Sequence, residues 1–177
     1  MKLLKEYQVV AALPSPLETG VTYLVGAQDS INITGLDGNS DQMYQIEAST
    51  VNAGSQDTHW MRFNNIRTGV YDFRYSYAGS TSTTTANAGQ ISISPNQGNN
   101  SISQFTMVID AKTGKNRSLQ GQFTPVGGNQ ITIASLSLFS GVWRDNSTNL
   151  TSIQFGYASI TGGYGVGTRI RVFSLQP

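Results

Sequence analysis

The chain has 177 residues, a length that fits one globular domain with a short appendage better than two domains. Charged residues make up only 12% of it and its net charge is +1, so it offers no strongly basic surface to a phosphate backbone, and we expect no nucleic-acid partner. It contains no cysteine, which excludes disulfides and thiolate metal ligands.

The first forty residues predict an N-terminal docking arm, residues 1–40. Residues 7–13 and 21–25 are short apolar runs with β propensity, and residues 15–18 between them have a capping-box arrangement that can start one helical turn at most. Such an arm either joins an edge of the main sandwich or pairs with a neighbouring subunit by strand addition, and the sequence favours neither. The expected docking residues are apolar: Tyr7, Val9, Val10, Leu13, Tyr23 and Val25.

Export and membrane signals are weak at this end of the chain. Lys5 and Glu6 interrupt the first apolar residues, so we expect no secretory signal peptide. No apolar stretch approaches the roughly 20 residues that a membrane helix needs, and we expect no membrane partner.

Period-2 alternation dominates residues 41–177 and predicts antiparallel strands. In residues 71–77 four aromatic side chains point to one side, where they are expected to belong to the core. Many short strands without a long helical segment predict an all-β fold, a jelly-roll-like antiparallel sandwich over residues 41–177. The predicted strands are residues 43–49, 60–66, 71–77, 90–94, 105–110, 130–139, 150–157 and 168–175.

Four segments between these strands predict loops. Residues 78–89 and 95–103 are long polar stretches, expected to be exposed. Residues 37–41 offer alternating oxygen ligands like a calcium loop, but Gln42 and Ala48 stand where glycine and glutamate are needed, so a tight polar turn is the interpretation. Residues 163–167 are glycine-rich but precede a predicted strand, which favours an inter-strand loop over a phosphate site.

The residue inventory predicts a protein that is not an enzyme. His59 is the only histidine, which argues against a Ser-His-Asp triad and a multi-histidine metal site. We interpret it as a hydrogen-bonded structural or surface residue, with a pH-sensitive contact as the alternative. The ten carboxylates are scattered, with Asp37 and Asp41 the nearest pair, and a glycosidase would need two of them together in space. We expect no catalytic residue, no cofactor and no metal.

Two aromatic residues are possible glycan contacts. Trp143, flanked by Arg144 and Asp145 near a turn, is the aromatic residue most expected to be exposed, and Tyr164 lies in the glycine-rich segment. Flat aromatic faces complement sugar C–H faces, so Trp143 and Tyr164 are the candidates for binding a host glycan.

Segments at both ends resemble tailed-bacteriophage virion proteins. Residues 141–145 (GVWRD), 150–155 (LTSIQF) and 166–173 (VGTRIRVF) are similar to the closing strands of their jelly-roll modules, although Phe173 and Ser174 stand where an aromatic-glycine pair is usual. Residues 7–13 and 22–25 look like N-terminal segments of phage fibre and accessory virion proteins. The resemblance implies a structural role in a phage particle and carries over no catalytic residue.

The expected function is therefore that of a non-enzymatic bacteriophage virion structural protein. It would be a capsid decoration, cement or accessory protein that docks on capsid or tail proteins through its N-terminal arm. Its low charge suits a homo-oligomer, such as a trimer, in the virion after assembly in the host bacterial cytoplasm. The alternative is a tail or fibre carbohydrate-binding module that recognises host-surface glycans.

Overall fold

The computed structural model of the chain describes residues 1–54, 58–77, 83–94, 101–127, 136–157 and 163–175. In these residues the chain forms thirteen strands and one helical turn. They are β1 (Lys2–Val10), β2 (Val21–Val25), β3 (Ser30–Thr34), α1 (Gly38–Asp41), β4 (Met43–Val51), β5 (His59–Phe63), β6 (Tyr71–Tyr77), β7 (Thr83–Ala88), β8 (Ile91–Ser92), β9 (Ile102–Asp110), β10 (Arg117–Gly127), β11 (Ser137–Trp143), β12 (Ser152–Tyr157) and β13 (Arg169–Ser174).

The strands form two sheets that face each other across a common core. The larger sheet has nine strands in the order β2-β1-β13-β4-β9-β10-β11-β6-β7, and the smaller has four in the order β3-β12-β5-β8. Neighbouring strands are antiparallel except β1 and β2, which run parallel. The predicted all-β, sandwich-like fold is confirmed, whereas the jelly-roll connectivity stays a prediction.

Side-chain alternation along each strand explains how the sheets pack. In β4, Tyr44, Ile46 and Ala48 are buried, and the residues between them face outward. Each large apolar side chain removed from water contributes about 1.5–3 kcal/mol, so the two apolar faces are driven together. The resulting cluster takes residues from both sheets, among them Ile31, Ile33, Phe63, Ile153 and Phe155 from the smaller one and Tyr44, Ile46, Phe105, Phe123 and Ile170 from the larger one.

Tyr71 links the two sheets by hydrogen bonds. Its ring is fully buried in β6, and its hydroxyl accepts from the backbone N–H of Phe63 in β5 at 2.9 Å. The same hydroxyl lies 3.1 Å from the carbonyl oxygen of Phe63, to which it can donate. The expectation that the aromatic stripe of β6 belongs to the core is confirmed for Tyr71 and Phe73, which are both buried.

The first forty residues belong to the sandwich. β1 pairs with β13 on one side and with β2 on the other, and Tyr7 and Val9 lie in the common core. β3 pairs with β12 in the smaller sheet. Of the two arrangements that the sequence allowed, the structure shows the arm joined to its own sheet. The core extends across the predicted boundary at residue 40.

Three strands were missed by the sequence analysis: β3, β7 and β10. β10 reads as interrupted because it contains Gly121 and Pro125. The glycine is needed there, since a Cβ at this position would lie 2.5 Å from the backbone oxygen of Thr106 and would collide with the ring of Phe139. The strand therefore depends on a close approach between strands that composition does not reveal.

Several predicted loops and boundaries are corrected by the structure. The predicted loop 78–89 is wrong in its second half, where β7 pairs with β6 because a run of threonines favours extended backbone. Residues 95–100 of the other predicted loop and residues 130–135 of the predicted strand 130–139 lie outside the described residues. Residues 15–18 form no helical turn. The turn α1 forms instead after Asp37, whose carboxylate caps the N–H groups of Asn39 and Ser40.

A matched pair of valine substitutions tests whether the N-terminal segment is part of the core. Val9→Ala should lower the free energy of unfolding by roughly 1–3 kcal/mol, because Val9 is buried in the cluster. Val25→Ala, at a position that is 54% exposed, should change it by less than about 0.5 kcal/mol. Urea unfolding measures both, and equal effects would mean that β1 does not pack on the sandwich.

Candidate functional site

Trp143 and Tyr164, the candidate glycan contacts, are both completely buried. Trp143 lies between the Arg117 guanidinium, 4.3 Å from its ring centroid, and the ring of Phe63 at 5.1 Å. The prediction that Trp143 is exposed is wrong because its position in β11 shares the inward-facing side with Phe139 and Gly141, and this alternation outweighs the nearby turn. Neither ring has surface to offer to a glycan.

Arg117 is a charged residue whose complete burial was not predicted from the sequence. Its guanidinium donates to the carbonyl oxygens of Asp145 and Thr148 and stacks on Trp143, and burial lowers the pKa of Arg117. These contacts satisfy the two terminal nitrogens of the guanidinium, although its Nε has no hydrogen-bond partner among the described residues, and they hold the turn that follows β11. Arg117 is therefore a structural residue of the sandwich and is not accessible to a ligand.

His59 is enclosed by aromatic rings. The ring centroids of Tyr157, Tyr164 and Phe123 lie 4.0, 5.4 and 6.0 Å from that of the imidazole. Both ring nitrogens are buried, and neither has a hydrogen-bond partner among the described residues, so the expectation of a hydrogen-bonded side chain is wrong. Burial lowers the pKa of His59 from 6.5 to about 3, which keeps the imidazole neutral at physiological pH.

The six predicted docking residues do not share one surface. Tyr7 and Val9 face the core, whereas Val10 and Tyr23 are half-buried. Leu13 and Val25 are 59% and 54% exposed. Only these last two retain the accessibility that docking to a large partner would require.

Both residues lie in an edge strand and the segment before it, which we call the β2 edge and which has Glu18 as its charged residue. It comprises β2 and the preceding residues 11–20, all of which are exposed. β2 pairs with β1 on one side, and no described strand of its sheet lies beyond it on the other. The β2 edge exposes three large apolar side chains: Leu13, Leu17 and Val25. Edge strands of soluble proteins usually carry a charge or a proline that opposes pairing, and β2 has neither.

A second surface is the outer face of the larger sheet, the face that points away from the smaller sheet. Strand pairing aligns its side chains in rows across β4, β9, β10, β11 and β6. The central row is Gln45, Val108, Gln120, Ser140, Arg74 and Thr84. The row on one side of it is Glu47, Thr106, Gln122, Leu138 and Ser76, and the row on the other side includes Ser118, Val142 and Asp72.

The outer face is concave along these rows. A depression of about 630 Å³ lies over the central row and the Gln122 row, and one of about 540 Å³ lies over the central row and the Asp72 row. The two depressions share Arg74, Val108, Gln120 and Ser140, so we treat them as one outer-face groove. Its size is in the range of small-molecule sites, although it is open along one side.

The charges on the outer face compensate one another. Glu47 pairs with Arg171 at 3.0 Å, and Glu6 pairs with Arg169 at 2.7 Å. Asp72 lies 3.5 Å from Arg144, and Asp110 lies 2.5 Å from Lys115. The surface consequently has little net charge, and hydrogen bonding through amide and hydroxyl groups is the chemistry that it offers.

The described residues contain neither a cluster of metal-binding side chains nor a helix that could span a membrane. No three His, Asp or Glu side chains there come close enough together to hold a metal ion. Asp37, one of the candidate ligands of the calcium-like segment, instead caps α1 and accepts from the side chain of Asn149 at 2.9 Å. No described helix has the length and apolarity to cross a membrane.

Comparisons with protein-family models, with curated proteins and with solved structures found no match to this chain. The features that bear on function are therefore the β2 edge, the outer-face groove and the motifs of the sequence.

Acidification should destabilise the protein through His59. The unfolded chain binds a proton at this residue near pH 6.5 and the folded chain only near pH 3, so its contribution to stability is complete above pH 6.5 and is lost progressively below it. At pH 5 the loss is roughly 2 kcal/mol. His59→Leu should remove this part of the pH dependence, as measured by urea unfolding between pH 7 and 4.5. Parallel stability curves for the two proteins would contradict the assignment.

Proposed function

We propose that this chain is a non-enzymatic structural subunit of a bacteriophage particle that docks on a neighbouring virion protein through the β2 edge. The observation that carries the proposal is that β2 has no described strand on its outer side and that Leu13, Leu17 and Val25 of the β2 edge are exposed. The place of the subunit on the particle, as a capsid decoration or cement protein or as a tail accessory protein, is part of the proposal.

The physical basis of docking is strand addition. β2 presents backbone N–H and C=O groups along its outer margin, of which the carbonyl oxygen of Val25 already accepts from the Gln28 side chain at 3.1 Å. An extended segment of a partner can pair with the remaining groups as a tenth strand of the sheet. The exposed leucines and valine then lose contact with water, which adds apolar burial to the new hydrogen bonds. A second copy of the chain supplies the same edge, so two-fold pairing or a larger homo-oligomer is consistent with this surface.

The phage assignment is supported by the motifs rather than by the edge. The resembling segments near the C-terminus fall on β11 with the two residues after it, on β12 with the two residues before it, and on β13 with the turn before it. Those near the N-terminus fall on β1 and β2. β12 is central in the smaller sheet, and β13 lies between β1 and β4 in the larger one. These segments therefore form the body of the sandwich.

The non-enzymatic part of the proposal is supported by the contacts of the carboxylates. Glu6, Glu47, Asp72 and Asp110 are ion-paired, and Asp37 caps α1. Asp145 accepts hydrogen bonds from the backbone N–H groups of Ser147 and Thr148. These carboxylates have structural roles that leave no free pair poised in the outer-face groove for acid–base chemistry.

Carbohydrate binding is the second candidate function. Its original candidate residues, Trp143 and Tyr164, are buried. The observation that favours it instead is the outer-face groove, which has glutamine, serine and threonine side chains in its lining.

Charge placed on the β2 edge should abolish docking. We expect the double variant Leu13→Lys/Val25→Lys to enter particles on the order of tenfold less than the wild type, because each lysine would have to be desolvated in the interface. Both positions are exposed, so the melting temperature should stay unchanged. Quantitative mass spectrometry of particles purified from cells that express each protein measures incorporation.

Ile102→Lys is the matched control for this experiment. Ile102 is also an exposed apolar residue, at 42%, but it begins β9 in the middle of the sheet order. It should enter particles at the wild-type level. Normal incorporation of Leu13→Lys/Val25→Lys, or absence of the wild-type chain from particles, would contradict the proposal.

A further inference from the structure

We propose that the outer-face groove binds a neutral, hydroxyl-rich chain, that is, an uncharged oligosaccharide segment laid across the strands from β4 to β7. This site is separate from the β2 edge and does not depend on docking there. It replaces the buried Trp143 and Tyr164 as the place where a glycan can touch the protein.

Hydrogen-bonding capacity is the first argument. Gln120, Gln122 and Ser140 lie in adjacent positions of two neighbouring rows and are all exposed. An amide side chain supplies both donors and an acceptor, and a hydroxyl supplies one donor and two acceptor positions. Sugar hydroxyls need both kinds of partner at close intervals, and this lining supplies them without a charged group at every position.

Charge is the second argument. Of the acidic residues that line the groove, Asp72 is paired with Arg144 and Asp110 with Lys115, and Arg74 is the cation that lines both parts of the groove. A phosphate or sulfate polymer requires a series of cations along its path, and one arginine does not provide it. A neutral chain does not need such a series, because amide and hydroxyl groups can hydrogen-bond its oxygens.

Shape and apolar surface are the third argument. The central row crosses six strands, and five steps of about 4.8 Å make it roughly 24 Å long, which is enough for several sugar rings. Val108, Leu138 and Val142 lie among the polar side chains, where their methyl groups can contact sugar C–H faces. The groove thus combines an aliphatic floor with polar partners around it.

A protein partner fits this face less well. Extended peptides bind sheets by pairing with an edge, and the outer-face groove lies over interior strands whose backbone groups are already paired. This difference favours a carbohydrate over a protein.

Binding to defined polysaccharides tests the proposal. The full chain, multimerised through a tag, is applied to an array of neutral, sialylated and sulfated bacterial and host glycans, and hits are followed by affinity electrophoresis with dextran, mannan and dextran sulfate as reference polymers. We expect binding to at least one neutral glycan and no preference for sulfated or sialylated forms. Absence of binding to every neutral glycan at high avidity, or a preference for the anionic polymers, would overturn the proposal.

Two variants of the groove locate the binding site. Gln120→Ala/Gln122→Ala removes two hydrogen-bonding amides and should weaken binding on the order of tenfold. Ser140→Tyr fills the centre of the groove and should abolish binding, and both proteins should melt like the wild type because these positions are exposed on strands.

Gln104 supplies the matched controls. It is exposed on the same face in β9 but lies outside the groove, so Gln104→Ala and Gln104→Tyr should bind glycans like the wild type. Equal binding by Ser140→Tyr and Gln104→Tyr would overturn the proposal. The proposal would also be overturned if the Ser140→Tyr protein failed to enter particles and the wild type bound no glycan, because the face would then be a protein interface.

Discussion

Backbone hydrogen bonds between β4, β9, β10, β11 and β6 decide which side chains share a row on the larger sheet. Successive side chains of a strand point to opposite faces, so a slip of one residue in β10 would exchange Gln120 for the buried Leu119. The apolar inner face resists such a slip because it would move large side chains into water. The core thus fixes the pairing, and the pairing builds the outer-face groove.

Alternation allowed the sequence to predict the fold class and most strands of the larger sheet, including β6, whose bounds agree. It did not predict β10, because Gly121 is interpretable only once Phe139 is known to lie across it. The burial of Trp143 depends on the same kind of long-range information. The polar neighbours Arg144 and Asp145 suggest an exposed position in the sequence. The residues that pack on Trp143, Phe63 and Arg117, are far from it along the chain.

The candidate site was harder to predict than the fold. Each polar residue of the central row is ordinary in its own strand, where a glutamine or serine alternates with buried residues. Only the register brings Gln120, Ser140 and Arg74 side by side. Along the chain, Gln120 is 20 residues and Arg74 is 66 residues away from Ser140. The residues predicted from the sequence were Trp143 and Tyr164 instead, and both lie in the core.

The β2 edge and the outer-face groove belong to one sheet but occupy different parts of it. β1 and β13 separate β2 from β4, so a strand added at β2 would leave the groove uncovered. A subunit held on a particle by its edge would therefore still present the groove to its surroundings. This arrangement makes the structural role and glycan binding compatible in one chain.

Disulfide cross-linking tests the pairing register most directly, since the chain contains no cysteine of its own. Gln120→Cys/Ser140→Cys places thiols at directly opposed positions of β10 and β11, within the Cα separation of about 4.4–6.8 Å that a disulfide allows. We expect this protein to form an intramolecular disulfide on mild oxidation. Gln120→Cys/Leu138→Cys, a diagonal pair about 7–8 Å apart, should not form one. Cross-linking of the diagonal pair in place of the opposed pair would contradict this pairing register.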